Sequence, residues 1–181
     1  VTHCMDDPQA EQRLLREWLC YQLYQELTPN SYRAQLVKVT YRDLNGSIET
    51  IEQFGILLED TDEMAERLGG DELEKMNQPD SLFDSERRFI QDLFQYMIAN
   101  ADYDPKVLRN IKLVSAPVSD RPLTMVPYDF DFSGMVNAPY AVPKPGSGAQ
   151  SVTDRIFLGQ RQPETLVNQV VNQFMQKRQQ L

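Results

Sequence analysis

The chain has 181 residues, 41% of them apolar and 25% charged, which is enough for one domain with a real core and too short for two full ones. A formal net charge of −9 and a pI near 4.6 argue against a sequence-independent nucleic-acid binder and against docking on anionic membranes, since both need a basic face. No apolar run approaches the roughly 20 residues that span a bilayer, and no signal-peptide pattern opens the chain.

Asp7-Pro8 reads as a helix opening, with an acid to cap and a proline at the first helical position. Leu15, Leu19, Leu23 and Leu27 then recur at i+4 beside Trp18, which predicts one apolar stripe over residues 8–27, ending before Pro29. Cys4 and Cys20 could form one disulfide or none; Cys20 lies in the helical apolar pattern and is expected to be a free core thiol. His3 has no second histidine to share a metal, so histidine-based zinc chemistry and a Ser-His-Asp triad are poor fits.

Next, "AQLVKVTYRD" puts Val37, Val39 and Tyr41 on one face of a strand, Asn45-Gly46 signals a hairpin, and "IEQFGILLED" returns with an apolar end that suggests burial. Residues 62–68 predict a short helix that Gly69-Gly70 ends, followed by a polar loop through Pro79. "SERRFIQDLFQYMIAN" from Ser85 has apolar residues round most of a helix, which places that helix in a core. Phe83, Phe89, Phe94 and Tyr96 are expected to be core aromatics. A polar loop "NADYDPKVLRN", a strand "IKLV", a turn around 119–122 and a strand "TMVPYDF" follow; Ala138 to Gly148 is Pro- and Gly-rich loop. A last amphipathic helix from about Pro163 carries Leu166, Val167, Val170, Val171 and Phe174 on one side and is still in progress at Leu181.

The stretch "VPYDFDFSG" carries the chemistry. On a strand, Asp129 and Asp131 point the same way and Phe130 the other. Two carboxylates about 5 Å apart repel by about 1 kcal/mol in water and several times that at lower effective dielectric. A magnesium or manganese ion removes that cost, and magnesium takes one or two protein carboxylates with water and phosphate oxygens. The plainer alternative is a solvated strand end with turn hydrogen bonds to Ser133 and Gly134. What favours the ion is the upstream order: a buried helix ends at Asn100, a loop carries Asp102 and then Asn110, a strand leaves, and its neighbour returns with Asp129-Phe130-Asp131. Kinases build a phosphoryl-transfer site in this order, with a base Asp, a metal-binding Asn and a metal-binding Asp followed by Phe. Asp102 and Asn110 are eight apart, wider than the protein-kinase loop, and Asp104 is a rival base six before Asn110.

"REWLCYQLYQELTPNSYRAQLVKVTY", "FGILLEDTDEMAERLGG", "LFQYMIANADYDPKVLRNIKL" and "VPYDFDFSGMVNAPYAVP" resemble uncharacterised bacterial proteins related to the CotH kinase family, atypical kinases named after a spore coat protein, over most of residues 1–158. The resemblance implies an α+β, protein-kinase-like fold using ATP and a divalent ion, with 1–60 a partial N-lobe-like helix and hairpin and 61–181 a C-lobe-like part. It makes Asp102 the catalytic Asp, Asn110 the metal-binding amide, and Asp129 the principal metal ligand with Asp131 supporting. It offers Glu11 or Glu17 as partner of a nucleotide-binding lysine, and Glu59 or Asp60 as nucleotide contacts between lobes. Arg109 and Tyr103 depart from the His and Trp that relatives tend to have.

No Gly-rich loop precedes the first helix, and "GSG" at 146–148 is expected to be a flexible loop. With Val1 in place of Met, the strands that grip a nucleotide are expected to lie outside this sequence, leaving the fragment weakly active or inactive. Arg155 is expected in a structural ion pair before a phosphate contact. The expected activity is phosphoryl transfer from ATP to a hydroxyl of a protein or small molecule. The rivals are a catalytically inactive pseudokinase-like binding or scaffold module and a metal-dependent hydrolase using Asp129 and Asp131.

Overall fold

A computed structural model describes residues 8–47, 49–116 and 121–178. Within them, four α-helices and two small antiparallel sheets make an α+β fold. No helix among the described residues is long and apolar enough to cross a membrane.

Helix α1 covers Ala10–Leu27 with Gln9 at its N-cap; the expected cap Asp7 lies outside the described residues, as do Cys4 and His3. Its buried side is Leu14, Glu17, Tyr21 and Tyr24 together with Cys20 and Leu27, so of the predicted leucine stripe only Leu27 is buried. Leu15 and Leu23 are half-buried, and Leu19 is exposed. Tyrosines carry more apolar area than leucine and a hydroxyl that finds a partner, so they outcompete the stripe for the inward position. Cys20 is free, fully buried, and its thiol is pushed up to about 12, first by burial.

Strands β1 (Ala34–Tyr41) and β2 (Ile51–Leu58) pair in register from Ala34 opposite Leu58 to Tyr41 opposite Ile51. Val37, Val39 and Tyr41 do share a face, but Ala34 and Leu36 on the other face pack against the core. Asn45-Gly46 sits within a longer connection rather than a two-residue turn. There the Asp43 carboxylate accepts the Asn45 and Ser47 N–H groups at 2.9 and 2.7 Å, and Gly46 has φ +69°. Helix α2 covers Thr61–Arg67, capped by the Asp60 carboxylate and closed by Gly69 at φ +81°.

The predicted polar loop up to Pro79 contains a short strand, β3 (Asp71–Glu72), a 3₁₀ turn following at Asp80–Leu82. Helix α3 (Ser85–Met97) is capped by Asp84 and buries Phe89, Ile90 and Phe94. It also buries Gln91, Asp92 and Gln95, which the apolar pattern hid. Tyr96 is 37% exposed, contrary to its assignment as a core aromatic. Strands β4 (Ile111–Ser115) and β5 (Thr124–Pro127) complete a sheet ordered β3-β4-β5, with Ile111 opposite Pro127. The turn expected at 119–122 lies mostly outside the described residues. Helix α4 (Glu164–Lys177) buries Val170, leaves Val171 exposed and is capped at Arg178; the expectation that it runs on at Leu181 falls outside the described residues.

One core cluster joins α1, β2, α2, α3, β5 and the segment 130–138 through Leu14, Tyr21, Ile56, Met64, Phe94 and Phe130. Gly134 marks where three chain segments cross. A Cβ there would lie 2.7 Å from Thr153 Cα and the Val152 carbonyl, and 2.8 Å from Ala99 Cβ. The crossing is held by Gly134 N–H to Ala99 C=O (3.0 Å) and Met135 N–H to Ile98 C=O (3.1 Å). Gly134→Ala is therefore expected to lower stability by about 1–3 kcal/mol through overpacking, and Phe130→Ala by about 3–5 kcal/mol through the cavity it leaves. Urea denaturation midpoints check both.

Candidate functional site

The loop after α3 is shaped by its own short polar side chains. Ala99 takes φ +54°, and the buried Asn100 accepts the Asp102 N–H on its Oδ1 at 2.9 Å. Asp104 and Arg109 exchange two backbone hydrogen bonds of 3.0 and 2.9 Å, while the Asp104 carboxylate accepts the Lys106 N–H. Tyr103 is buried and donates its hydroxyl to Asp92 at 3.1 Å, pinning the loop to α3. Burial pushes the Asp92 carboxyl up to about 6 against the pull of Arg88 and of Tyr103. Asn110, at φ +52°, then enters β4 and donates Nδ2 to the Asp102 carbonyl (2.8 Å) and to Asp102 Oδ2 (3.1 Å). The eight-residue spacing is thus closed by a compact reversal.

The register of β4 and β5 brings the second half of the site alongside, because the Tyr128 N–H bonds the Asn110 carbonyl at 3.1 Å. Strand β5 ends at Pro127, so Asp129 and Asp131 are not on a continuing strand as predicted. Asp129 takes φ +58°, a conformation that Asp tolerates better than most residues, and donates its N–H to the Tyr21 hydroxyl at 2.8 Å. Phe130 is fully buried, with its ring 4.8 Å from Tyr21 and 5.7 Å from Phe94 between centroids. Asp131 nevertheless lies close enough to Asp129 to raise the proton affinity of its carboxyl.

Electrostatically the site is acidic. Burial first, then Asp131, and then the charges of Glu17 and Asp102, push the Asp129 carboxyl up to about 7. Three further acids, one from the same segment, one from α1 and one from the loop after α3, thus bear on Asp129. Tyr140 donates its hydroxyl to Asp131 Oδ2 at 2.9 Å, and burial and that bond raise its own proton affinity.

The donor set fits a hard divalent cation, being all oxygen, with two adjacent carboxylates whose repulsion an ion would relieve. No group of three or more His, Cys, Asp or Glu among the described residues forms a cage for a metal. Asp129 and Asp131 would supply the charges. Asn110 would supply its amide oxygen, its nitrogen being committed to Asp102.

Of the remaining predicted residues, Glu17 is fully buried on α1 and within the electrostatic reach of Asp129, whereas Glu11 is exposed on the first turn. Glu59 and Asp60 are not brought to the cluster. Glu59 forms a bidentate pair with Arg67 (2.7 and 2.6 Å), which holds its carboxyl below the usual range, and Asp60 caps α2. Asp104 is a turn residue. Arg155 donates Nε to the Met97 carbonyl at 3.0 Å, so its partner is a helix end and not an acid. Gly146 and Gly148 sit in loop turns at φ +78° and +82°.

Sequence reasoning missed Tyr21 and Tyr140. Tyr21 lies four residues after Glu17, on the same helical face, and that spacing was a usable signal; Tyr140 sits in an irregular loop and gave none. Comparison of the chain with protein-family models, curated proteins and solved structures gives no match.

The raised Asp129 carboxyl predicts a pH dependence. Below about pH 4 it is protonated in folded and unfolded chains alike. Between about 4 and the folded value of about 7, only the unfolded chain releases the proton, so folding stability falls as pH rises through that window. Urea denaturation from pH 4 to 8 is expected to show this fall, and Asp131→Asn or millimolar magnesium to flatten it.

Proposed function

We propose that this chain carries the metal and acceptor side of an ATP- and divalent-metal-dependent phosphotransferase, with a kinase-like fold of the CotH type. What carries the reading is the convergence of Asp102, Asn110 and the Asp129–Asp131 pair through the β4–β5 register and the Asn110–Asp102 hydrogen bonds. In this reading Asp102 accepts the proton of an acceptor hydroxyl and aims its oxygen. Asp129, with Asp131 and Asn110, holds the ion that offsets charge on the triphosphate. Tyr21 and Tyr140 fix the two carboxylate-bearing residues from outside, by accepting the Asp129 N–H and by donating to Asp131.

A second reading, a pseudokinase-like module that binds without transferring, is favoured by one observation. The lysine of the β1–β2 hairpin, Lys38, is exposed and paired with Glu52 of the same hairpin at 2.6 Å, rather than directed toward Glu17.

Calorimetric titration with MgATP and a phosphate-release assay test both readings on the full-length protein. Asp129→Ala is expected to abolish magnesium-dependent nucleotide binding. Asp102→Asn is expected to keep binding and lose about 10²–10⁴-fold in turnover. Magnesium-dependent binding with no turnover in the wild type would select the second reading, and equal nucleotide affinity in wild type and Asp129→Ala would defeat both.

A further inference from the structure

Asp102 does not face open solvent alone; it lines a cavity of about 220 Å³. Ala101, Phe132, Val142, Pro143, Pro145 and Val152 form an apolar wall. At about 30 Å³ per water in the liquid, the space corresponds to roughly seven waters, room for a compound of about ten non-hydrogen atoms or fewer. Residues 142–145 form one side of it.

Its charged lining is uneven in commitment. Lys144 donates Nζ to the Tyr103 carbonyl at 3.1 Å, and Asp154 accepts the Gln150 and Ser151 N–H groups at 2.8 and 3.0 Å. Arg109 is different. Its side chain is 56% exposed, and among the described residues its guanidinium meets only Asp102, Nη1 to Oδ1 at 3.5 Å, the long limit for a hydrogen bond. A guanidinium has five N–H donors arranged for a bidentate carboxylate, so most of its capacity is unused.

We infer that this cavity is the acceptor pocket and takes a small hydroxy acid, its carboxylate on Arg109 and its hydroxyl on Asp102; the assignment of the hydroxyl rests on the phosphoryl-transfer reading. A monoanionic carboxylate suits the pocket better than a phosphate dianion, which Asp102 and Asp154 would repel twice as strongly. Engaging Arg109 also draws its guanidinium from Asp102, leaving that carboxylate free to take the hydroxyl proton. The acceptor oxygen then forms a bond to the γ-phosphorus of the nucleoside triphosphate. The bond from that phosphorus to the β–γ bridging oxygen breaks, the diphosphate leaves with the electron pair, and the proton rests on Asp102. Arg109 is thereby a specificity-determining residue.

The test is ligand-observed NMR titration of the full-length protein with 4-hydroxybutyrate, butyrate and 1-butanol. Both acids are expected to bind at least tenfold more tightly than the alcohol. Arg109→Gln, at an exposed position, should erase that preference, and Val142→Trp, at a 64% exposed position on the cavity wall, should weaken all three probes. Equal affinity for acid and alcohol, no binding of any probe at millimolar concentration, or an acid preference unchanged in Arg109→Gln would overturn the inference. Carboxylate binding through Arg109 with no phosphoryl transfer would leave the pocket standing and defeat the transfer reading. Transfer that prefers the neutral alcohol would do the reverse.

Discussion

Tyr21 joins the packing of the molecule to its chemistry. Its ring meets Phe130 edge-on in the core, and its hydroxyl accepts the N–H of the preceding residue, Asp129. The same side chain therefore fixes both the buried anchor and the backbone that presents the acid. With Phe94 on the other side of Phe130, three aromatic residues from α1, α3 and the segment after β5 fix where that segment turns. Burial of large aromatic side chains supplies several kcal/mol, enough to hold a left-handed φ at Asp129 that costs on the order of 1–3 kcal/mol. The strain is local, and the support is distributed through the core.

Around that anchor the protein gathers like charges instead of separating them. Asp131, Glu17 and Asp102 all bear on the partly buried Asp129, within a chain that already carries a net charge of −9. Repulsion of this kind opposes folding unless a proton or a cation relieves it.

The β4–β5 pair sets the mutual position of the two acidic loops, and the crossing at Gly134 fixes where the second leaves the site. By contrast, β1 and β2 form a two-stranded sheet whose outer face carries Val37, Val39 and Tyr41, with α1 packed on the other. An isolated hairpin is marginal in water, so its order derives from α1 and from the Glu59–Arg67 pair and backbone contacts at its base. This explains why Glu59 and Asp60 serve the junction of β2 and α2 and not the acidic cluster.

Local chemistry determined much of this from sequence alone. The β1–β2 pairing, the α2 stop at Gly69, α3, and the order Asp102, Asn110, Asp129, Asp131 depend on short-range periodicity, turn residues and spacing, which a one-dimensional reading contains. The side of α1 that faces inward was decided by tertiary packing, because tyrosines with hydroxyl partners displaced the leucine stripe. So were the buried glutamines and aspartate of α3, the end of β5 at Pro127, and the placement of Tyr21 and Tyr140. Each depends on contacts between residues far apart in the chain, whose free energies exceed the local preferences they override. The pairing of Asp129 with Asp131 was legible as two acids two residues apart. That Asp129 lies within electrostatic reach of Asp102 and Glu17 required the register of β4 on β5 and the aromatic stack beneath Phe130.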